Sequence, residues 1–144
     1  MEFDRASRGG VPAGMEVALL CAALLGLLVF GLGLAVSLTR GSTRTVIGHA
    51  TDPDDRLHKL VRAHANAAEY APMLAILILI LGSREPGVGL LGTFVAATVC
   101  RYLHAAGMVL LGRLDRPNPL RFLGALGTYV TGFVLVGALL VQLA

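Results

Sequence analysis

Charge is scarce in this chain. Asp, Glu, Lys and Arg make up only 15% of the 144 residues, 56% are hydrophobic, and the mean hydropathy is +0.75, far above an ordinary soluble domain. So thin a supply of charge excludes a conventional water-soluble fold and places the chain in a bilayer. Cysteine is equally sparse. Cys21 and Cys100 lie in apolar stretches without a CxxC partner; they indicate no redox compartment and read as buried, inert small residues. His64 and His104 stand alone on different stretches, with no HxxxH or ExxH spacing, so no metal is expected. The net charge of +3 is modest and sits mainly between apolar stretches, so nucleic acid is not an expected partner.

What is abundant is apolar length. Charge-poor stretches cover about 15–38, 57–81, 88–111 and 120–143. Each can cross a bilayer, since roughly 20 residues at a rise of about 1.5 Å span the hydrocarbon core. Residues 1–14 form a polar lead, and 15–144 form the membrane domain. The first apolar stretch is longer than a signal peptide's h-region, and Glu2 and Asp4 dilute the positive charge before it, so a retained helix is expected. Short connections favour antiparallel neighbours, which predicts an all-α membrane protein built as an up-down four-helix bundle. Asp52 or Asp54 is the expected cap of the second span, with Pro53 near its first turn, and Pro117, Asn118 and Pro119 stop any helix between spans three and four. Small residues at four-residue spacing, Gly92, Ala96 and Cys100 on span three and Gly124, Thr128 and Gly132 on span four, mark faces for close helix approach.

Arginine position predicts orientation. Arg40, Arg44 and Arg56 lie between spans one and two, and Arg113, Arg116 and Arg121 around the third connection; the other side holds only Arg5, Arg8 and Arg84. By the positive-inside rule the first and third connections are cytoplasmic and both termini lie outside.

Function is expected where polarity interrupts the second span, in the run RAHANAAEYAP. An ionisable side chain in the hydrocarbon costs roughly 2.5–3.5 kcal/mol on insertion scales, so it is normally kept for a site or an obligatory pair. Arg62, Asn66 and Glu69 share one helical stripe while His64 points elsewhere, and on span three Arg101 and His104 share a face. Counted from the cytoplasmic ends at about 1.5 Å per residue, Glu69 lies roughly 18 Å deep and Arg101 about 15 Å, so these two are the expected deep pair. Guanidinium, amide and carboxylate on one stripe suit a zwitterionic, peptide-like ligand, although a purely structural polar seam fits the same residues. Intramembrane Glu and His also serve proton relays, which keeps a proton-linked small-molecule transporter open, yet no two spans look like inverted repeats with matching broken helices.

The run RAHANAAEYAP, preceded by DPDDR and followed in span three by RYLHAAG, resembles microbial members of the superfamily of membrane-associated proteins in eicosanoid and glutathione metabolism, MAPEG. The resemblance extends from about residue 15 to the end. It implies a homotrimer in the cytoplasmic membrane of a bacterium, binding glutathione between subunits near the cytoplasmic face. It assigns Arg62, Asn66, Glu69 and Tyr70 to the thiol peptide, adds Tyr102 as a further ligand, and leaves His64, Arg101 and His104 in supporting positions. It puts Arg113 where catalytic members carry the arginine that stabilises the thiolate. Ala106 and Met108 depart from the pattern, since family enzymes often carry a tyrosine there. The activity implied is transfer of glutathione, or an analogous cellular thiol, to hydrophobic electrophiles, or reduction of lipid hydroperoxides. A non-catalytic lipid-binding or scaffold role is the alternative within the same fold.

Overall fold

The computed structural model describes residues 11–142; the first ten residues of the polar lead and residues 143 and 144, the former being the last of the expected fourth span, lie outside the described residues. Four helices follow one another: α1 (Ala13–Thr43), α2 (Arg56–Gly82), α3 (Val88–Val109) and α4 (Pro119–Val141). All four are long and apolar enough to cross a membrane. The expected all-α, four-span fold is what the chain forms.

Helix ends follow local chemistry, and two of them differ from expectation. The first helix runs on past residue 38 to Thr43, because Ser42 and Thr43 hydroxyls each donate back to Thr39 O at 2.9 Å and hold the last turn. It stops where Arg44 turns left-handed at φ 54°. The cap of α2 is Asp55 rather than Asp52 or Asp54: its Oδ1 accepts from His58 N at 2.7 Å. Asp52 instead accepts from Asp54 N at 3.0 Å in a local turn, and Asp54 pairs with Lys59. Asn118 caps α4, accepting from Leu120 N and Arg121 N, with Pro119 in the first turn where a missing N–H has no cost.

Packing divides the bundle into hairpins. The α1 and α2 helices pack along each other, α3 and α4 do the same, and the two pairs meet more sparsely, chiefly through α2 with α3 and α1 with α3. Ala18 and Leu25 of α1, Ile78 and Leu81 of α2, Phe94 of α3 and Leu135 of α4 share the core, fully buried. The α3/α4 contact depends on glycine. A Cβ at Gly107 would lie 2.6 Å from Arg121 N, and one at Gly124 would lie 2.5 Å from His104 N, so only glycine lets the backbones approach this closely. Within the chain the expected small-residue faces hold for Gly124 and Thr128 of α4 and for Cys100 of α3, which lies against Gly124 and Gly127; Gly92 and Ala96 are exposed, and α3 also buries Ala97, Arg101, His104 and Ala105.

Up-down order brings the first and third connections to one end, where Leu114 N donates to Pro53 O at 3.0 Å. At the other end Arg84 reaches Gln142. Large apolar side chains such as Phe30 and Phe133, 80% and 77% exposed, cover the flanks, as a lipid-facing surface requires.

Candidate functional site

At the loop end, α2 opens away from α3 and α4 to leave a cleft of about 330 Å³. Arg62, Asn66 and Glu69 line it from α2, about one turn apart, as a stripe on one helical face would, with His58 nearer the loop. His104 and Met108 face them from α3, Leu114 from the connecting turn and Arg121 from the first turn of α4. Three of the residues expected to bind a ligand are thus brought together. Among the described residues, Arg62 and Glu69 make no ion pair, so a guanidinium and a carboxylate face the cleft with their hydrogen-bonding capacity unspent.

The expected deep pair of Glu69 and Arg101 is not formed. Arg101 is 2% exposed, and its Nη2 donates to Asn66 Oδ1 at 2.6 Å and to Asn66 O at 3.3 Å. Its Nη1 reaches Thr128 Oγ1 at 3.5 Å, the Tyr70 ring centroid lies 5.2 Å away, and Nε has no partner. The stripe explains the difference: Asn66 is the member turned toward α3, whereas Glu69 lies on the exposed side of α2. Asn66 therefore serves the buried cation as well as bordering the cleft.

Other expected ligands lie elsewhere in the chain. Tyr70 bonds Tyr129 hydroxyl to hydroxyl at 3.1 Å, at the head of an apolar groove of about 370 Å³ that runs between α2 and α4 past Met73 and Phe133. Tyr102 turns to the opposite flank and donates to Leu24 O of α1 at 2.8 Å. The His64 ring packs over Gly33, with Nδ1 buried and unpartnered. Arg113 lines a separate depression with Arg116. There it donates to both carboxylate oxygens of Asp115, at 3.2 and 3.3 Å, and lies 3.7 Å from Asp52. The hydrogen bond from Arg113 holds the Asp115 carboxyl below its ordinary value, and Asp115 in return raises Arg113. Lys59 likewise lowers Asp54 through its hydrogen bond.

Arg121 and His58 are cleft residues that sequence reasoning missed. By position along the chain Arg121 reads only as one more positive-side charge. A signal was present, since a cation in a helix's first turn opposes the helix dipole and needs another reason to be there. In the structure Arg121 Nη1 donates to Leu114 O and Nη2 to Arg116 O, both at 3.0 Å. His104 Nδ1 lies 2.8 Å from Arg121 O, which ties the imidazole to the same turn of α4.

A bundle of four helices of membrane-spanning length, with a polar cleft at one end of the seam between its two hairpins, defines the class: an integral membrane protein. The family it falls in is plain from sequence comparison: the MAPEG family model matches residues 18–141, nearly the whole chain, and the protein belongs to the MAPEG family. No curated protein and no solved structure matches the chain.

Proposed function

We propose that the cleft binds glutathione, or an analogous low-molecular-weight thiol, and presents its thiolate to hydrophobic electrophiles or lipid hydroperoxides. The observation that carries this reading is the convergence of Arg62, Glu69 and Arg121 on one cleft. A thiol peptide brings carboxylates, an ammonium group and a thiol; guanidinium groups match the first, Glu69 matches the second, and a cation favours the ionised third. MAPEG membership supports a role connected with glutathione or eicosanoid chemistry.

In this reading Arg62 pairs with a ligand carboxylate, Glu69 accepts from the ammonium, and Asn66 borders the ligand while holding Arg101. The thiolate-stabilising role expected of Arg113 passes to Arg121. A guanidinium carries five donors, and with one on each Nη spent on the Leu114 and Arg116 carbonyls, Arg121 keeps three for a ligand. Stabilising the anion raises the fraction of nucleophile at neutral pH. The thiolate then attacks an electrophilic carbon, forming C–S as the leaving group departs. With a hydroperoxide it attacks the distal oxygen, O–O breaks to release the alcohol, and a second thiol converts the sulfenic acid to disulfide and water. The apolar groove below Tyr70 and Tyr129 offers such substrates a lateral approach from the bilayer.

The same reading takes the protein as a homotrimer in a bacterial cytoplasmic membrane, with the two arginine-bearing loops inside, the termini outside and a neighbouring subunit closing the open side of the cleft. That groove also favours a second reading, a lipid-binding scaffold without catalysis. Purified protein titrated with several cellular thiols, followed by thiolate absorbance in the ultraviolet and by conjugation of a hydrophobic electrophile, separates the two. Thiol binding with thiolate formation and turnover supports the enzyme; lipid binding without any thiol response overturns it.

A further inference from the structure

Arg113 has no place in the chemistry above, yet it is the centre of the polar contacts that join the two loops. We propose that Arg113 is a positioning residue which, with Asp115 and Asp52, fixes the α3–α4 turn whose carbonyls aim Arg121 into the cleft. This rests on the thiol reading of the cleft and supplies the part of it that the cleft alone leaves open, namely what holds the cation in place.

The connection can be followed bond by bond. Arg113 grips both oxygens of Asp115 within its own turn and reaches Asp52 in the other loop. The next residue, Leu114, donates its N–H to Pro53 O at 3.0 Å, so the turn is stitched to the first loop by backbone as well as by charge. Arg116 N closes the turn onto Arg113 O at 3.3 Å. The carbonyls of the residues flanking Asp115, Leu114 and Arg116, then take the two Nη groups of Arg121. Two bonds to fixed acceptors set the plane of a planar guanidinium, which a long flexible side chain cannot do alone. Leu114 also lines the cleft, so a shift of the turn moves a wall and the cation together. Small displacements matter here, because a misplacement of about 1 Å can cost on the order of 100-fold in rate.

Other charges near the clamp act on it only through the field, Asp54 on Arg113 and Arg116 on Asp115. Asp54 forms its own pair with Lys59, and the hydrogen bond Arg116 gives the network is through its carbonyl.

A direct role for Arg113 makes the opposite prediction for its carboxylates. Were Arg113 to contact the thiolate itself, Asp115 and Asp52 would compete with the ligand, and neutralising them would leave the thiolate fraction unchanged or raise it. As a clamp, their loss lowers it. The test uses full-length protein in lipid nanodiscs with glutathione, measuring thiolate absorbance against pH and thiol affinity for Arg113→Ala, Arg113→Lys, Asp115→Asn and Asp52→Asn. Each neutralised variant is expected to lose thiolate about two- to five-fold at neutral pH, the scale of one exposed ion pair, with affinity moving less. Arg113→Lys recovers part of the loss. Hydrogen exchange at the Leu114 and Arg116 amides, in protein without thiol, is expected to quicken in the alanine and both asparagine variants. Undiminished or increased thiolate in Asp115→Asn and Asp52→Asn, or unchanged exchange protection, overturns the clamp. Wild-type protein that binds thiol without forming thiolate overturns the thiol reading instead, and the exchange result then judges the clamp by itself.

Discussion

Replacing Asn66 with leucine tests the assignment of the buried cation most directly. Arg101 is 2% exposed, and its shortest contact is the 2.6 Å bond to Asn66 Oδ1. The bond to Asn66 O survives the substitution, but at 3.3 Å it is longer, the Thr128 contact at 3.5 Å is longer still, and Nε has no partner to offset the loss. Removing a hydrogen bond to a charged group costs about 1.5–3 kcal/mol, which lowers the folding equilibrium constant roughly 10- to 150-fold. Glu69→Gln is the control, because Glu69 is exposed and forms no ion pair among the described residues. Its stability is expected to stay within about 0.5 kcal/mol of wild type. Unfolding by SDS in mixed micelles, followed by far-ultraviolet circular dichroism, measures both. Asn66→Asp, which places a carboxylate where the amide oxygen stood, should retain or exceed wild-type stability. If Glu69→Gln unfolds as readily as the Asn66→Leu variant is expected to, while Asn66→Leu resembles wild type, then Arg101 is neutralised by Glu69 and the network described here is wrong.

Arg121→Ala should lower the thiolate signal and slow conjugation by on the order of 100-fold, as for loss of one donor to a developing anion, while thiol binding through Arg62 and Glu69 is retained in part; an unchanged signal and rate place the stabilising cation elsewhere. Gly124→Ala should destabilise the α3/α4 hairpin by about 1–3 kcal/mol, since its Cβ would press 2.5 Å from His104 N, and normal SDS resistance would show that the hairpin can spread at no cost. The Asp115 carboxyl titrates below its ordinary value of 3.8 in the folded protein, so the stability it adds is full above that value and is lost as pH falls through the depressed one. Exchange protection of the α3–α4 turn should therefore be flat between about pH 5 and 8 and fall only below about pH 4; a drop near neutrality would point to another group. Reporters fused at the carboxyl terminus should lie outside the cytoplasm and a tag in the loop between α1 and α2 inside it, and the reverse pattern would remove the cytosolic thiol pool from the cleft.

The sequence revealed what depends on periodicity. Four spans, their up-down order and the Arg62, Asn66, Glu69 stripe all follow from spacing along one chain, and the structure shows each of them. Cap choice was less legible, because Asp52, Asp54 and Asp55 carry the same group and only backbone direction selects Asp55. The partner of Arg101 was missed for a related reason. Matching by depth compares distance along the membrane normal and ignores rotation about the helix, so it chose Glu69 although Asn66 faces α3. Arg121 was obscured by its company. Beside Arg113 and Arg116 it reads as one of a group of positive-side residues, and only the fold separates the arginine that enters the cleft from those that remain in the turn.

The cleft straddles the seam between two hairpins. Arg62, Asn66 and Glu69 ride on one, His104 and Arg121 on the other, and each hairpin is held more firmly within itself than to its neighbour. Its width is therefore the gape of a jaw rather than a sum of rotamers. A rotation of about 5° between rigid halves, pivoting at the far end of a membrane roughly 30 Å thick, opens the mouth by about 2.6 Å. All contacts across it lengthen together. The stitch from Leu114 to Pro53 lies at the lips of that jaw, where leverage is greatest, and with the Arg113–Asp52 contact beside it resists opening at the point of widest travel.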